Sequence, residues 1–258
     1  MIHPEGRQLS VLERVDLALA RAMVVTATED EPLAVAQRVL DRVRRPAPGD
    51  VAFLASLLRL RGFVMDDDDV ADVLAGRRGR LSPITQEHRL LRGLQECLRL
   101  VRLRAAEGLP PDGWFLVDLF RTMTADLPRF RNNELRRGPP WDSVLWIDYP
   151  PPEQLRPVLD TFDLQRCYRD VPLAFQALHP VRQGFRVLWR FSRIAPFPDF
   201  NLVMAWLGMN AWLQWKGFPL LPPEQGDQAM MSKLLSGPPP TKLLALETRL
   251  LSGLDDAA

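Results

Sequence analysis

Asp199 and Asn201 stand two residues apart in the stretch Ile194-Ala195-Pro196-Phe197-Pro198-Asp199-Phe200-Asn201-Leu202-Val203, directly ahead of an apolar run that reaches Gly217. Prolines at 196 and 198 forbid a helix across this stretch. The run that follows is broken only by Asn210, Gln214 and Lys216, which predicts a helix buried on nearly all sides. A tight loop that feeds the amino end of such a helix is a place where backbone N–H groups can meet an anion. Asp199 could share a magnesium ion with the oxygens of a bound phosphate, but one carboxylate alone is a poor magnesium site. Asp199 and Asn201 could equally cap the first turn of the helix.

Other residues of chemical interest are few. Asp66–Asp69 suggests a divalent-metal site, yet it directly precedes an apolar helical segment, Val70–Leu74, where acidic side chains complement the macrodipole. The second reading is preferred. Gly76-Arg77-Arg78-Gly79-Arg80 reads as a solvated basic turn. His88 and His179 both lie outside the proline-bounded loop, so neither is placed as a general base there. Cys97 and Cys167 are too few for a metal-ligand pattern or a disulfide framework, and read as packing residues.

Behind these residues stands a chain of 258 residues with 47% apolar and 25% charged content and a net charge of +1, long enough for one sizeable core. So small a net charge gives no general pull toward nucleic acid or an anionic membrane. No apolar segment is long enough to span a bilayer, and the start of the chain does not read as a signal peptide, so a cytoplasmic protein is expected. Lysine occurs only at 216, 233 and 242 among 33 cationic residues, a bias that suggests a bacterial source.

Helical spacing marks most of the chain. Helices are predicted around Leu12–Met23, after Pro32 through Val43, and over Val51–Arg61 with Asp50 as N-cap and Gly62 beyond the end. These form an expected N-terminal appendage over residues 1–76, with the main domain over 77–258. Thr85–Ala105 carries Leu90, Leu91, Leu94, Cys97, Leu98 and Val101 in a 3-4 repeat, and Trp114–Met123 continues after the break at Pro110–Gly113. Leu155–Phe162 and two pieces within Val171–Arg193 read as helical, as do Met230–Leu235 and Lys242–Leu251 near the end. Residues 128–157 are the least helical, with seven prolines around Trp141-Asp142-Ser143-Val144-Leu145-Trp146-Ile147-Asp148-Tyr149. Aromatic and β-branched residues bounded by proline favour a short extended hairpin there.

Taken together, Ala195-Pro196-Phe197-Pro198-Asp199-Phe200-Asn201-Leu202-Val203, the Phe191-Ser192-Arg193-Ile194 approach, the Gly217-Phe218-Pro219 ending and Pro150-Pro151-Pro152-Glu153 resemble the Fic family and its HPFx(D/E)GN(G/K)R signature. The resemblance covers roughly residues 82–222. It implies a mainly α fold, a Fic-like helical bundle around a buried central helix with a small β-hairpin flap, whose members mostly transfer AMP from ATP to a protein hydroxyl. It also implies departures here. Ala195 stands at the position of the family's proton-accepting histidine, Phe200 and Leu202 at its two glycines, and Val203 and Trp206 at its phosphate-binding arginines. An alanine carries no proton, and the lost guanidinium groups remove strong charge-assisted bonds to phosphate. Side chains at 200 and 202 are expected to obstruct the backbone wrap by bulk and by restricted angles. The family's inhibitory (S/T)xxxE(G/N) pattern is approached at Ser82–Glu87, where Gln86 replaces the glutamate.

The leading reading is therefore a degenerate Fic-like protein without AMP transfer, whose vestigial loop is Ala195, Pro196, Phe197, Asp199, Phe200, Asn201, Leu202 and Val203. It would bind a protein partner through a flap carrying Trp141, Trp146 and Tyr149, or that stretch is a surface loop whose tryptophans cover the core. No cofactor or metal is expected, with Asp199 a ligand only if a nucleotide binds. The rival reading is an active transferase with a non-standard donor in the same groove, where ATP and magnesium would return. A third is an unrelated helical scaffold.

Overall fold

A computed structural model describes residues 49–131, 135–142, 147–162 and 180–224, together with Asp227, Ala229 and Met231. The helices expected over Leu12–Val43, the first piece within Val171–His179, the closing helix over Lys242–Leu251, and Trp146, Cys167 and His179 lie outside the described residues.

Among the described residues seven α-helices follow in order: α1 Asp50–Leu60, α2 Asp67–Leu74, α3 Gln86–Ala106, α4 Gly113–Thr124, α5 Leu155–Asp160, α6 Pro180–Ile194 and α7 Asn201–Trp215. Short 3-10 turns occupy Pro128–Phe130 and Pro152–Gln154. Among the described residues there is no strand. The expected hairpin falls partly outside them, since 143–146 are not described, while Trp141–Asp142 form a turn and 147–150 are irregular.

The element boundaries have local causes. Thr85 accepts a hydrogen bond from the His88 N–H at 3.3 Å and Asp112 from the Phe115 N–H at 2.7 Å, so both side chains cap a helix that begins one residue later. Asp50, expected as an N-cap, instead lies within the first turn of α1, behind Gly49, and its carboxylate receives Arg102 at 2.8 and 2.5 Å. Gly62 ends α1 at φ +95°, and Gly217 ends α7 at φ +79°. In each the next amide reaches back five residues in the chain, Phe63 to the Leu58 carbonyl at 3.1 Å and Phe218 to that of Leu213 at 2.8 Å. The acidic start of α2 meets arginines rather than a metal-like cage: Arg59 holds Asp67 at 2.5 Å, and Arg80 holds Asp66 at 2.6 Å and Asp69 at 2.9 Å. Arg80 from the basic turn thus folds back onto α2.

α7 runs through the centre, packed against α6, α3, α1 and α4, and twelve of its residues from Asn201 to Leu213 are buried. Phe53, Leu54 and Leu57 of α1 belong to the same core as Leu94 of α3, Phe120 of α4 and Trp206 of α7. Asn210 is a buried polar residue within it: its amide bonds the Trp206 carbonyl and both backbone groups of Leu221, at 3.0, 3.0 and 2.6 Å. Trp206 adds its indole N–H to the Leu221 carbonyl at 2.8 Å. An apolar helix therefore fastens Leu221 of the segment after it by three hydrogen bonds from two side chains. Among the described residues no helix is long and apolar enough to cross a membrane.

α3 and α4 approach so closely that a Cβ built on Gly93 would lie 2.4 Å from the Met123 carbonyl oxygen and 2.7 Å from its Cα. Glycine to alanine inside a helix ordinarily stabilises by about 1 kcal/mol. At this contact the backbone of α4 must move, so Gly93→Ala is expected to lower stability by about 1–3 kcal/mol. Urea unfolding measures it; a midpoint equal to or above that of the parent protein would contradict the close approach.

Candidate functional site

The loop between α6 and α7 has two residues with left-handed backbone, Ala195 at φ +42° and Phe200 at φ +63°, and both are buried. Ala195 continues α6 by donating its N–H to the Phe191 carbonyl at 2.9 Å. Pro196 then prevents a further helical bond. The carbonyls of both prolines are held from outside: the Pro196 oxygen receives the Arg136 N–H at 2.9 Å and the Pro198 oxygen receives the Trp141 N–H at 2.7 Å. The segment 136–141 is thus stitched to the loop.

Arg136 is 5% exposed and its guanidinium lies among backbone oxygens. It donates to Ala195 at 2.7 Å, Gly138 at 3.0 Å, Pro150 at 2.5 Å and Ile194 at 3.4 Å. One side chain therefore holds the end of α6 and both arms of the flap segment. Burial pulls the Arg136 pKa below its ordinary value, with Tyr149 acting the other way. The Tyr149 ring, 5.8 Å from the guanidinium carbon, is placed to support the charge.

Around the start of α7 two carboxylates and two arginines converge. Asp199 Oδ1 accepts the Phe200 N–H at 2.7 Å and Arg61 Nε at 2.7 Å. Its Oδ2 accepts Arg61 Nη2 at 3.3 Å and Arg129 Nη2 at 3.4 Å. The contact with Asp199 pushes the Arg61 pKa up, against the effect of its partial burial. Asn201 turns its side chain back into the loop, accepting the Phe197 N–H and donating to the Phe197 carbonyl, each at 2.9 Å. It also donates from Nδ2 to Asp142 Oδ1 at 2.7 Å, while its backbone N–H reaches Asp142 Oδ2 at 2.6 Å.

This corrects the expected capping roles. Neither Asp199 nor Asn201 caps α7; the anion at its amino end is the carboxylate of Asp142, supplied by the flap segment. Burial, together with the nearby Asp199 carboxylate, pushes the Asp142 pKa up against the two bonds from Asn201 and the charge of Arg61.

Phe200 also differs from expectation. A side chain there was expected to restrict the backbone, yet Phe200 takes the left-handed turn at φ +63°, ψ 22°. The ring is 1% exposed, parallel to Phe63 at 6.3 Å between centroids and edge-on to Phe130 at 5.9 Å. Phe197 stacks on Phe120 at 4.1 Å. Val203 and Trp206 are fully buried, while Leu202 is half-buried. Trp141 is 57% exposed, with its ring 5.8 Å from Phe130. Tyr149 is half-buried. His88 sits on the first turn of α3, and Cys97 is buried with its Sγ donating to the Leu119 carbonyl at 3.1 Å. Burial pushes that thiol's pKa up. Among the described residues no group of three or more His, Cys, Asp or Glu is placed to hold a metal ion.

Sequence reasoning missed Arg61, Arg129, Arg136 and Asp142. Asp142 alone carried a signal, as a lone acid beside Trp141 in a stretch expected to face the loop.

No protein-family model and no curated protein matches the sequence. Solved structures do. The fold is similar to that of a Fic domain-containing signalling protein from Bacteroides thetaiotaomicron VPI-5482, with a TM-score of 0.66 and 19% identity over 86% of this chain and 95% of that one. It is also similar to Fic-1 from C. elegans, at TM-score 0.62 and 15% identity over 95% and 80% of the two chains. A Fic family protein from Desulfovibrio desulfuricans G20 matches at TM-score 0.53 and 13% identity, over 97% and 74%. The chain has the Fic fold, and the reading of an unrelated helical scaffold is set aside.

Two outcomes follow from the loop geometry. Phe200→Gly relieves a left-handed backbone costing about 1 kcal/mol but deletes a buried ring, so a net loss of about 2–4 kcal/mol is expected in urea unfolding. A stabilised variant would show that the ring contributes no packing. For Asp142 the native pKa lies above the ordinary 3.8. The native state then binds the proton more tightly than the unfolded chain, so this group's contribution to stability falls as pH rises from about 4 through the raised value. Asp142→Asn lacks that fall. Its stability relative to the parent protein should therefore improve between pH 4 and 7, and a relative stability that declines over that range would reverse the assignment.

Proposed function

We propose that this Fic-fold chain does not transfer nucleotide and works by binding a protein partner at the surface where the flap segment meets the α6–α7 loop. The observation that carries the reading is that three backbone donors of the loop and the start of α7 are already engaged. The Phe197 N–H bonds Asn201, the Phe200 N–H bonds Asp199 and the Asn201 N–H bonds Asp142. A triphosphate brought to the start of α7 would have to displace the Asp142 carboxylate and the buried Phe200 ring. Both are held by several contacts.

ATP with magnesium does not fit these residues. Asp199, the acid expected to share a magnesium ion, has both oxygens on arginine and its side chain is 3% exposed. The residues aligned with the family's phosphate-binding arginines, Val203 and Trp206, face the core. Ala195 offers no base, and its buried, left-handed position leaves little room for an imidazole. A partner surface is supported by the exposed Trp141, since large aromatics anchored at one edge and open on the other are common binding anchors.

Calorimetric titration of ATP and magnesium into the protein is expected to give no saturable heat, and micromolar affinity would overturn the reading. Ala195→His incubated with labelled ATP and cell lysate is expected to label no protein, because a restored base alone does not reopen the phosphate position.

A further inference from the structure

We propose that Ser82 is a phosphoryl acceptor, modified by a separate protein kinase that selects arginines ahead of the target hydroxyl. The site lies in the loop between α2 and α3 and does not depend on the partner-binding reading.

The structure separates Ser82 from every other serine and threonine among the described residues. Ser56 donates its hydroxyl to the Phe53 carbonyl at 2.7 Å, Thr122 to Asp118 at 2.9 Å, Thr124 to Phe120 at 2.7 Å, Thr161 to Pro157 at 3.1 Å and Ser192 to Leu188 at 2.8 Å. A hydroxyl bonded to a carbonyl three or four residues back is folded against its own backbone and is not presented to an enzyme. Thr85 is engaged twice, donating to the Ser82 carbonyl at 2.8 Å and accepting the His88 N–H at 3.3 Å. The Ser82 hydroxyl has no hydrogen bond among the described residues, and Ser82, Pro83 and Ile84 are all exposed, Ile84 at 77%.

The backbone rather than the serine side chain holds this turn. The Ser82 carbonyl receives the Thr85 N–H at 2.9 Å as well as the Thr85 hydroxyl. The acceptor is thus offered on a fixed turn whose shape does not rely on it.

Arg77, Arg78 and Arg80 lie five, four and two residues before Ser82. Guanidinium groups so placed can pair with carboxylates lining a kinase groove, a charge pattern that selects substrates. Arg77 holds Asp72, and Arg80 holds Asp66 and Asp69, with 63% and 71% of the two arginine side chains exposed. Exposed pairs of this kind contribute about 1 kcal/mol or less, so exchanging them for a kinase's carboxylates costs little. Arg78 is exposed and has no hydrogen bond or ion pair among the described residues.

In the reaction Ser82 Oγ attacks the γ-phosphorus of a nucleoside triphosphate. The Oγ–P bond forms, the bond from that phosphorus to the β–γ bridging oxygen breaks, the nucleoside diphosphate leaves, and the hydroxyl proton passes to the kinase's base. The phosphate formed lies three residues ahead of Thr85, the N-cap of α3, where the helix end favours negative charge and Arg78 is available to it. Glu87 in the first turn of α3 is the opposing charge.

The test is incubation of the full chain with γ-labelled ATP and an arginine-directed serine/threonine kinase, with sites located and timed by tandem mass spectrometry. Phosphate is expected on Ser82 at least tenfold faster than on Ser56, Thr85, Thr122, Thr124, Thr161 or Ser192. Ser82→Ala should abolish label in the peptide carrying residue 82 with an unchanged thermal melt, and Ser82→Thr should keep it. Arg78→Ala/Arg80→Ala should slow the Ser82 rate several-fold. No phosphate on Ser82, a rate no faster than on the engaged hydroxyls, or indifference to the arginine pair overturns the proposal. Label gained on Ser82 without the added kinase overturns the assignment to a separate enzyme.

Discussion

Asp142 reaches Asn201 through two short hydrogen bonds, at 2.6 Å from the backbone N–H and 2.7 Å from the side-chain amide. These bonds place a carboxylate at the positive end of the central helix, where the first N–H groups have no intrahelical acceptor. Much follows from that placement. The flap segment that supplies Asp142 must lie across the loop, and it is kept there by the Trp141 N–H on the Pro198 carbonyl and by Arg136 beneath. Asn201 can turn inward to close the loop on Phe197 only because its own helix end is served from outside. The helix start, the loop and the flap are one hydrogen-bonded unit.

Charge balance within that unit is satisfied locally. Asp199 is nearly fully buried, and a buried carboxylate without partners is costly. Two arginines from distant parts of the chain, Arg61 at the end of α1 and Arg129 in the 3-10 turn, answer it together with the Phe200 N–H. Because Arg61 follows α1 directly, the helix formed by residues 50–60 is tied to the loop by an ion pair as well as by its place in the apolar core.

Much of this architecture is readable from sequence, and the unreadable part has a common cause. The 3-4 spacing of Leu90, Leu91, Leu94, Leu98 and Val101 marks α3, and the break at Pro110–Gly113 marks the start of α4, because these signals are local. The loop is marked by its prolines and by the apolar run after it. Pairings such as Arg61 with Asp199 and Arg136 with Ala195 span 138 and 59 residues. In a chain so rich in arginine nothing local distinguishes the few that are buried. The conformation of Phe200 is also illegible, since a left-handed turn at a bulky residue is disfavoured until the surrounding packing requires it.

Phe200 shows how a left-handed turn can persist at a bulky residue. Its left-handed backbone costs about 1–2 kcal/mol for a residue with a Cβ, whereas burying an aromatic side chain contributes about 1.5–3 kcal/mol. The strain is therefore offset by the ring itself, provided that Phe63 and Phe130 are in place to receive it. Those two rings come from the turn after α1 and from the segment after α4. The same contacts that stabilise the turn therefore draw the surrounding segments over it. Glycine at this position would adopt the turn more readily but would leave the rings facing an empty space, so the loop would need something from outside to fill it. With phenylalanine the space is filled by the chain itself.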